Sequence, residues 1–101
     1  MHARVATYHG ADAAGIDRLL EETGPKIAGQ VDSPPEGLEG IREVVLLVDR
    51  DSGRALVITF FETEDDLRRA DATLERTPMS QAGGVRTGVE RYEVALRRAR
   101  S

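Results

Sequence analysis

Seven side chains of types that do chemistry stand at spacings that could bring them together: Arg4, Tyr8 and His9 near the start, Thr59 and Phe61 past the middle, and Arg91 and Glu93 near the end. His9 could act as a general base, the commonest catalytic role of an imidazole. A solvated histidine at a strand end is the plainer reading. Arg4 could hold a substrate anion and Tyr8 could hydrogen-bond a phenolic oxygen, unless Arg4 simply pairs with Glu93 or Glu43 across strands. Thr59 and Phe61 would line a pocket, Phe61 stacking on an aromatic ligand or else serving as a core aromatic. Arg91 and Glu93 alternate onto one face, where they could complete the pocket or pair structurally. His2 and His9 are seven residues apart, an odd separation that puts them on opposite faces of a strand, so they cannot chelate one metal together.

Other chemistries are excluded. The chain has no cysteine, hence no disulfide, thiolate metal site or cysteine nucleophile. It carries no G-x-S-x-G, H-E-x-x-H or Walker pattern, and Gly83-Gly84 lacks the strand-to-helix context of a phosphate loop. Neither a metal nor a cofactor is expected. The loop holding those glycines reads as disorder or a mobile lid. Arg97, Arg98 and Arg100 are too few charges to anchor a tail.

The elements that must position these residues follow from periodicity. His2 to His9 reads as a strand ending at Gly10. Asp12 suits an N-cap, and Ile16, Leu19, Leu20, Thr23 and Ile27 form one helical stripe. Gly24-Pro25 is expected to kink that helix near residues 21 to 25 or split it in two. Val31 to Gly40 is a loop by its prolines and glycines, leading to a strand over Ile41 to Asp49. A polar turn with Gly53 at a positive φ leads to the next strand, Ala55 to Glu62. Thr63 and Asp66 approximate a capping box for a helix to about Arg76 with Leu67, Ala70 and Leu74 inward. Thr77 to Gly88 is a loop and Val89 to Leu96 the last strand.

This βαββαβ order is that of the ferredoxin-like α+β fold, two helices on one face of a four-stranded antiparallel sheet, filling residues 1–101 as a single domain. Alternation makes the central hairpin apolar on both faces: Leu56, Ile58 and Phe60 are expected under the helices, with Val57, Thr59 and Phe61 opposite. Arg4, Ala6 and Tyr8 are expected on that opposite face too, since an arginine is ill suited to a helix-side core. Arg91 and Glu93 join them, with Tyr92, Val94 and Leu96 under the helices. A second apolar face needs a cover, and the economical cover is a second copy, giving a two-fold homodimer with sheets face to face.

Charge and hydropathy narrow the partners. With 14 Lys and Arg against 18 Asp and Glu, the formal charge of −4 supplies no basic field for nucleic acid. The longest apolar run, residues 44–48, is far below the ~20 needed to span a membrane, and no signal-peptide core precedes it. Neither nucleic acid nor membrane is an expected partner, and a cytoplasmic location is expected.

Together, the element order, Pro35-Glu36-Gly37-Leu38-Glu39-Gly40 before the second strand, Leu47-Val48-Asp49-Arg50 at the hairpin, and Phe61-Glu62-Thr63 at the strand-to-helix junction resemble the antibiotic biosynthesis monooxygenase-like family of dimeric α/β barrels. Nearly the whole chain takes part, including Leu67 and Thr77-Pro78-Met79. The resemblance implies two copies forming a dimeric α/β barrel. Members include cofactor-independent oxygenases of quinols and anthrones, haem-degrading enzymes, and proteins without an assigned reaction. Haem degraders of the family share an Asn on the first strand, a Trp on the third and a His on the second helix. This chain has no Asn, no Trp and no His beyond residue 9, and Phe61 stands where the Trp would be, which argues against haem degradation by that route. The resemblance thus implies a cofactor-independent monooxygenase-like protein acting on a small aromatic, with His9, Arg4 and Tyr8 as its catalytic candidates. The alternative is a non-catalytic homodimeric module that binds a small hydrophobic ligand or is purely structural. An amino-acid-binding regulatory domain ranks last, for want of an attached enzyme.

Overall fold

The computed structural model describes residues 1–10, 12–75 and 84–100, with β1 (His2–His9), α1 (Ala13–Asp32), β2 (Ile41–Asp49), β3 (Arg54–Phe61), α2 (Glu64–Glu75) and β4 (Val85–Glu93). All strand pairs are antiparallel, in the order β2-β3-β1-β4. This is the ferredoxin-like arrangement that the element order predicts: α1 packs on β2, and α2 packs on β1 and β3.

Local chemistry explains most boundaries. Asp12 caps α1, its carboxylate accepting from the Gly15 N–H at 2.6 Å. The Thr63 hydroxyl accepts from the Asp66 N–H at 3.1 Å, and Glu64, Asp65 and Asp66 crowd the positive end of α2. Gly53 takes φ +71° in the β2–β3 turn, a value costly for any residue with a Cβ.

Two boundaries differ from expectation. The helix α1 runs unbroken through Pro25 and continues to Asp32, absorbing Val31. A proline here removes one hydrogen bond, but the Ile16 and Leu19 anchors, buried upstream, and the half-buried Ile27 downstream hold both halves against the sheet. Strand β4 spans Val85–Glu93 instead of residues 89–96, because a register shift at Thr7/Tyr8 lets Arg86 and Val85 pair with Tyr8 and His9. Leu96 lies beyond the strand and is exposed. The possible lid, with Thr77-Pro78-Met79 and Gly83, lies outside the described residues.

The larger correction concerns which sheet face is which. Phe61, Thr59 and Val57 face the helices, together with Arg4, Ala6 and Tyr8, which stand directly across from Thr59, Val57 and Ala55. Arg91, across from Arg4, lies on the same side and reaches α2. Alternation gives two sets of side chains but not which set points inward, and Arg4 is admitted under the helices because α2 supplies the counter-charge for it. The opposite face bears Val5, Val45, Leu47, Leu56, Ile58, Phe60 and Tyr92, with Leu47 47% and Tyr92 50% exposed. The sheet is thus apolar on both faces. Arg97 stacks on the Phe60 ring 5.1 Å from its centroid and pairs with Glu43, at one end of that open face.

Candidate functional site

The helices leave a cleft of about 410 Å³ between them and the sheet. Its floor is the β1 row Arg4, Ala6 and Tyr8 with Val57 and Thr59 of β3 and Val44 of β2. One wall is the α1 row Thr23, Lys26, Ile27 and Gln30, spaced three and four apart so that they share a helix face. Leu74 of α2, Arg86 of β4 and Leu38 and Ile41 before and at the start of β2 complete it. Half of the described lining residues are aliphatic, the charged members are Arg4, Lys26 and Arg86, the rest are Tyr8, Thr23, Gln30 and Thr59, and there is no carboxylate or imidazole.

At one end of the cleft a charge cluster ties the sheet to α2. Arg4 is 4% exposed, and its Nε donates to Asp71 Oδ1 at 2.8 Å. Asp71 Oδ2 accepts from Arg91 Nε, also at 2.8 Å, and from Arg91 Nη2. Arg4 and Arg91, directly opposed across β1 and β4, would repel each other without this shared carboxylate. Glu75, one turn further along α2, pairs with Arg86 at 3.0 Å and lies 3.7 Å from Arg4 Nη2, too far for a hydrogen bond. Among the described residues, Arg4 Nη2 is the one buried side-chain nitrogen or oxygen without a hydrogen-bond partner. Burial alone would push the Asp71 carboxyl pKa up, but the hydrogen bonds and charges of Arg4 and Arg91 outweigh it and hold the group below the usual carboxylate range.

The structure gathers part of the expected set. Arg4, Tyr8 and Thr59 line the cleft, all buried. Phe61 does not: it is fully buried in a core cluster with Leu38, Ile41, Leu67 and Ala70. Arg91 is spent on Asp71, and Glu93 is exposed across from His2, away from the cleft. Arg4 pairs with Asp71 rather than with Glu93 or Glu43. His9 is exposed at the end of β1, on the face opposite Tyr8, and does not line the cleft. The residues that sequence reasoning missed are Lys26, Gln30, Asp71, Glu75 and Arg86. A signal for Asp71 was present: it falls between Ala70 and Leu74 on the inward stripe of α2, where a carboxylate requires a partner.

No family model matches the chain. Two uncharacterized proteins of Mycobacterium tuberculosis strains, MT2634 and Rv2557, are each 32% identical to it over 94 residues, which is 90% of this chain. The chain spans about 40% of the length of these curated relatives. Among solved structures it is similar to MhuD, a heme-degrader from Mycobacterium tuberculosis with two hemes bound in its active site: TM-score 0.57 and 19% identity, covering 98% of this chain and 100% of that one. A mutant of MhuD with two manganese protoporphyrin IX molecules per active site gives TM-score 0.56 at 19% identity, covering 98% and 99%. At that identity the likeness establishes the fold.

Proposed function

We propose that the chain is an antibiotic biosynthesis monooxygenase-like protein whose sheet–helix cleft binds a small, flat, largely apolar molecule. Its reaction would be cofactor-independent oxidation of an aromatic such as a quinol or an anthrone. One observation carries this reading: a cleft of about 410 Å³, in the size range of ligand pockets, is lined half by aliphatic side chains and has a buried guanidinium with an unsatisfied nitrogen in its floor. The likeness to a heme-degrader that holds two hemes supports the reading at the level of ligand shape.

The chemistry asked of the site is modest. An anthrone or quinol reduces dioxygen once it has lost a proton, and an anthrone then takes up one oxygen molecule to give the anthraquinone and water. Arg4 stays charged throughout, so it stabilises the substrate oxyanion without accepting the proton. With no carboxylate or imidazole in the described lining, the proton passes to water. Tyr8, four residues along β1 and so about 13 Å away, can hydrogen-bond the far end of a substrate two or three rings long. His9 has no part in this reading, because it stands on the other face. Haem fits less well: of the side chains that ligate haem iron, only tyrosine is present in the described lining, and no step here runs through haem.

The test is oxygen uptake. Protein mixed anaerobically with reduced quinols and anthrone and then given air should consume oxygen faster than the uncatalysed reaction. Replacing Arg4 by Gln should remove most of the enhancement, roughly the hundredfold to thousandfold that one oxyanion donor supplies. No enhancement with any compound would reject the oxygenase half of the proposal.

The alternative, a homodimeric module, draws on a separate observation: the apolar sheet face that neither helix covers. Pairing of two such faces would give the dimeric barrel and is compatible with either activity. Light scattering should then return twice the 11.0 kDa chain mass, and Leu47→Glu, at an exposed site on the edge strand, should return it to one. A monomeric wild-type protein would exclude the pairing.

A further inference from the structure

We infer that the ligand of this cleft carries a carboxylate that docks on Arg4, with its apolar body lying along β1 toward Tyr8. The inference rests on the cleft being a ligand site and narrows what occupies it.

Arg4 is almost wholly buried and its Nε is hydrogen-bonded to Asp71, yet among the described residues its Nη2 has no hydrogen-bond partner, on a residue that lines the cleft. A buried charged donor left without an acceptor is costly, and folded proteins seldom retain one without a reason. The local charge count agrees. Arg4, Arg86 and Arg91 face only Asp71 and Glu75 within the cluster, leaving one positive charge at that end of the cleft. Lys26 adds a cation on the α1 wall, at an exposed position with no ion-pair partner among the described residues.

The single surplus charge of the cluster, held on a buried guanidinium, is neutralised by one monoanionic carboxylate, whereas the exposed Lys26 keeps its water. The aliphatic half of the lining matches a hydrocarbon body, so the class is an aromatic or other flat apolar acid, a quinol or anthrone included where it bears a carboxylate.

The chain has no tryptophan, so the emission of a naphthalene probe can be followed directly. Titration of the intact protein at 0.15 M salt with 2-naphthoate and with 2-naphthalenemethanol compares a carboxylate with a neutral analogue of similar shape. The acid should bind at least about tenfold more tightly, as expected for a desolvated charge-assisted hydrogen bond, and Arg4→Gln should abolish that preference. Should Arg4→Gln fail to fold, Lys26→Gln takes its place: the preference should persist there, and its loss would place the anion on Lys26 and overturn the inference. Equal binding of acid and alcohol would overturn the carboxylate and leave the binding cleft standing. A preference that survives Arg4→Gln would also overturn it, since the anion would then be held elsewhere. Binding of neither probe would overturn the cleft and the carboxylate together.

Discussion

Phe61→Ala is expected to lower the stability of this domain by about 3 to 5 kcal/mol, the range for truncating a fully buried aromatic. Phe61 is 0% exposed and ends β3, where it stands across from Ile41 of β2 on one side and His2 of β1 on the other. Its ring joins Leu38, Ile41, Leu67 and Ala70, so it ties the segment before β2 and the helix α2 to the same point of the sheet. Among the described residues, no other side chain of that size is fully buried. Collapse around the void would require α2 to move, and α2 is held in place by Asp71 on Arg4 and Arg91. The loss would be a large part of the roughly 5 to 15 kcal/mol typical of a whole domain. Urea unfolding followed by circular dichroism measures it. A cost below about 1 kcal/mol would mean that the ring is not a core element, and its expected role as a ligand-stacking aromatic would return.

That residue also marks how far sequence reasoning reaches. The order of elements, β1, β2 and the capped starts of both helices are legible, because each depends on local chemistry: alternation of two, periodicity of 3.6, Asp12 and Thr63 as caps, and Gly53 at a turn. The assignment of faces is not legible from any one strand, because Val57-Ile58-Thr59-Phe60-Phe61 is nearly as apolar in one phase as in the other. What breaks the tie is a residue on another element. Asp71 on the inward stripe of α2 gives Arg4 a place under the helices, and once Arg4 is fixed there the register carries Thr59, Val57 and Phe61 with it. Taken alone, the rule that an arginine avoids a core pointed the wrong way. Read jointly with Asp71, it would have pointed to a buried pair. The candidate site was legible in the same measure: Arg4, Tyr8 and Thr59 follow from strand phase, whereas Lys26, Gln30 and Arg86 enter only because an unbroken α1 and the shifted start of β4 bring them to the cleft.

Asp71→Ala should be the most damaging substitution at a charged position, at about 3 kcal/mol, because it strands Arg4 as an uncompensated buried cation and returns Arg4 and Arg91 to mutual repulsion. Glu75 and Arg91 are close to half exposed, so Glu75→Ala or Arg91→Ala should cost no more than about 1 kcal/mol. A double-mutant cycle separates pairing from packing. Asp71→Leu combined with Arg4→Met replaces the buried pair by apolar groups and should recover much of what Asp71→Leu alone loses, since a buried ion pair and a well-packed apolar substitute are often of similar stability. Acid titration supplies a second reading. The Asp71 carboxyl is held below its ordinary value of 3.8 in the folded chain, so its contribution is complete above the unfolded value and disappears as pH falls through the lower, folded one. The stability gap between wild type and Asp71→Asn should therefore be widest above about pH 5 and should close on further acidification, as the wild-type carboxyl takes up a proton and comes to resemble the amide. A gap that stays constant from neutral to acid pH would show that Asp71 acts through shape alone, and the buried charge on Arg4 would then need a different counter-ion.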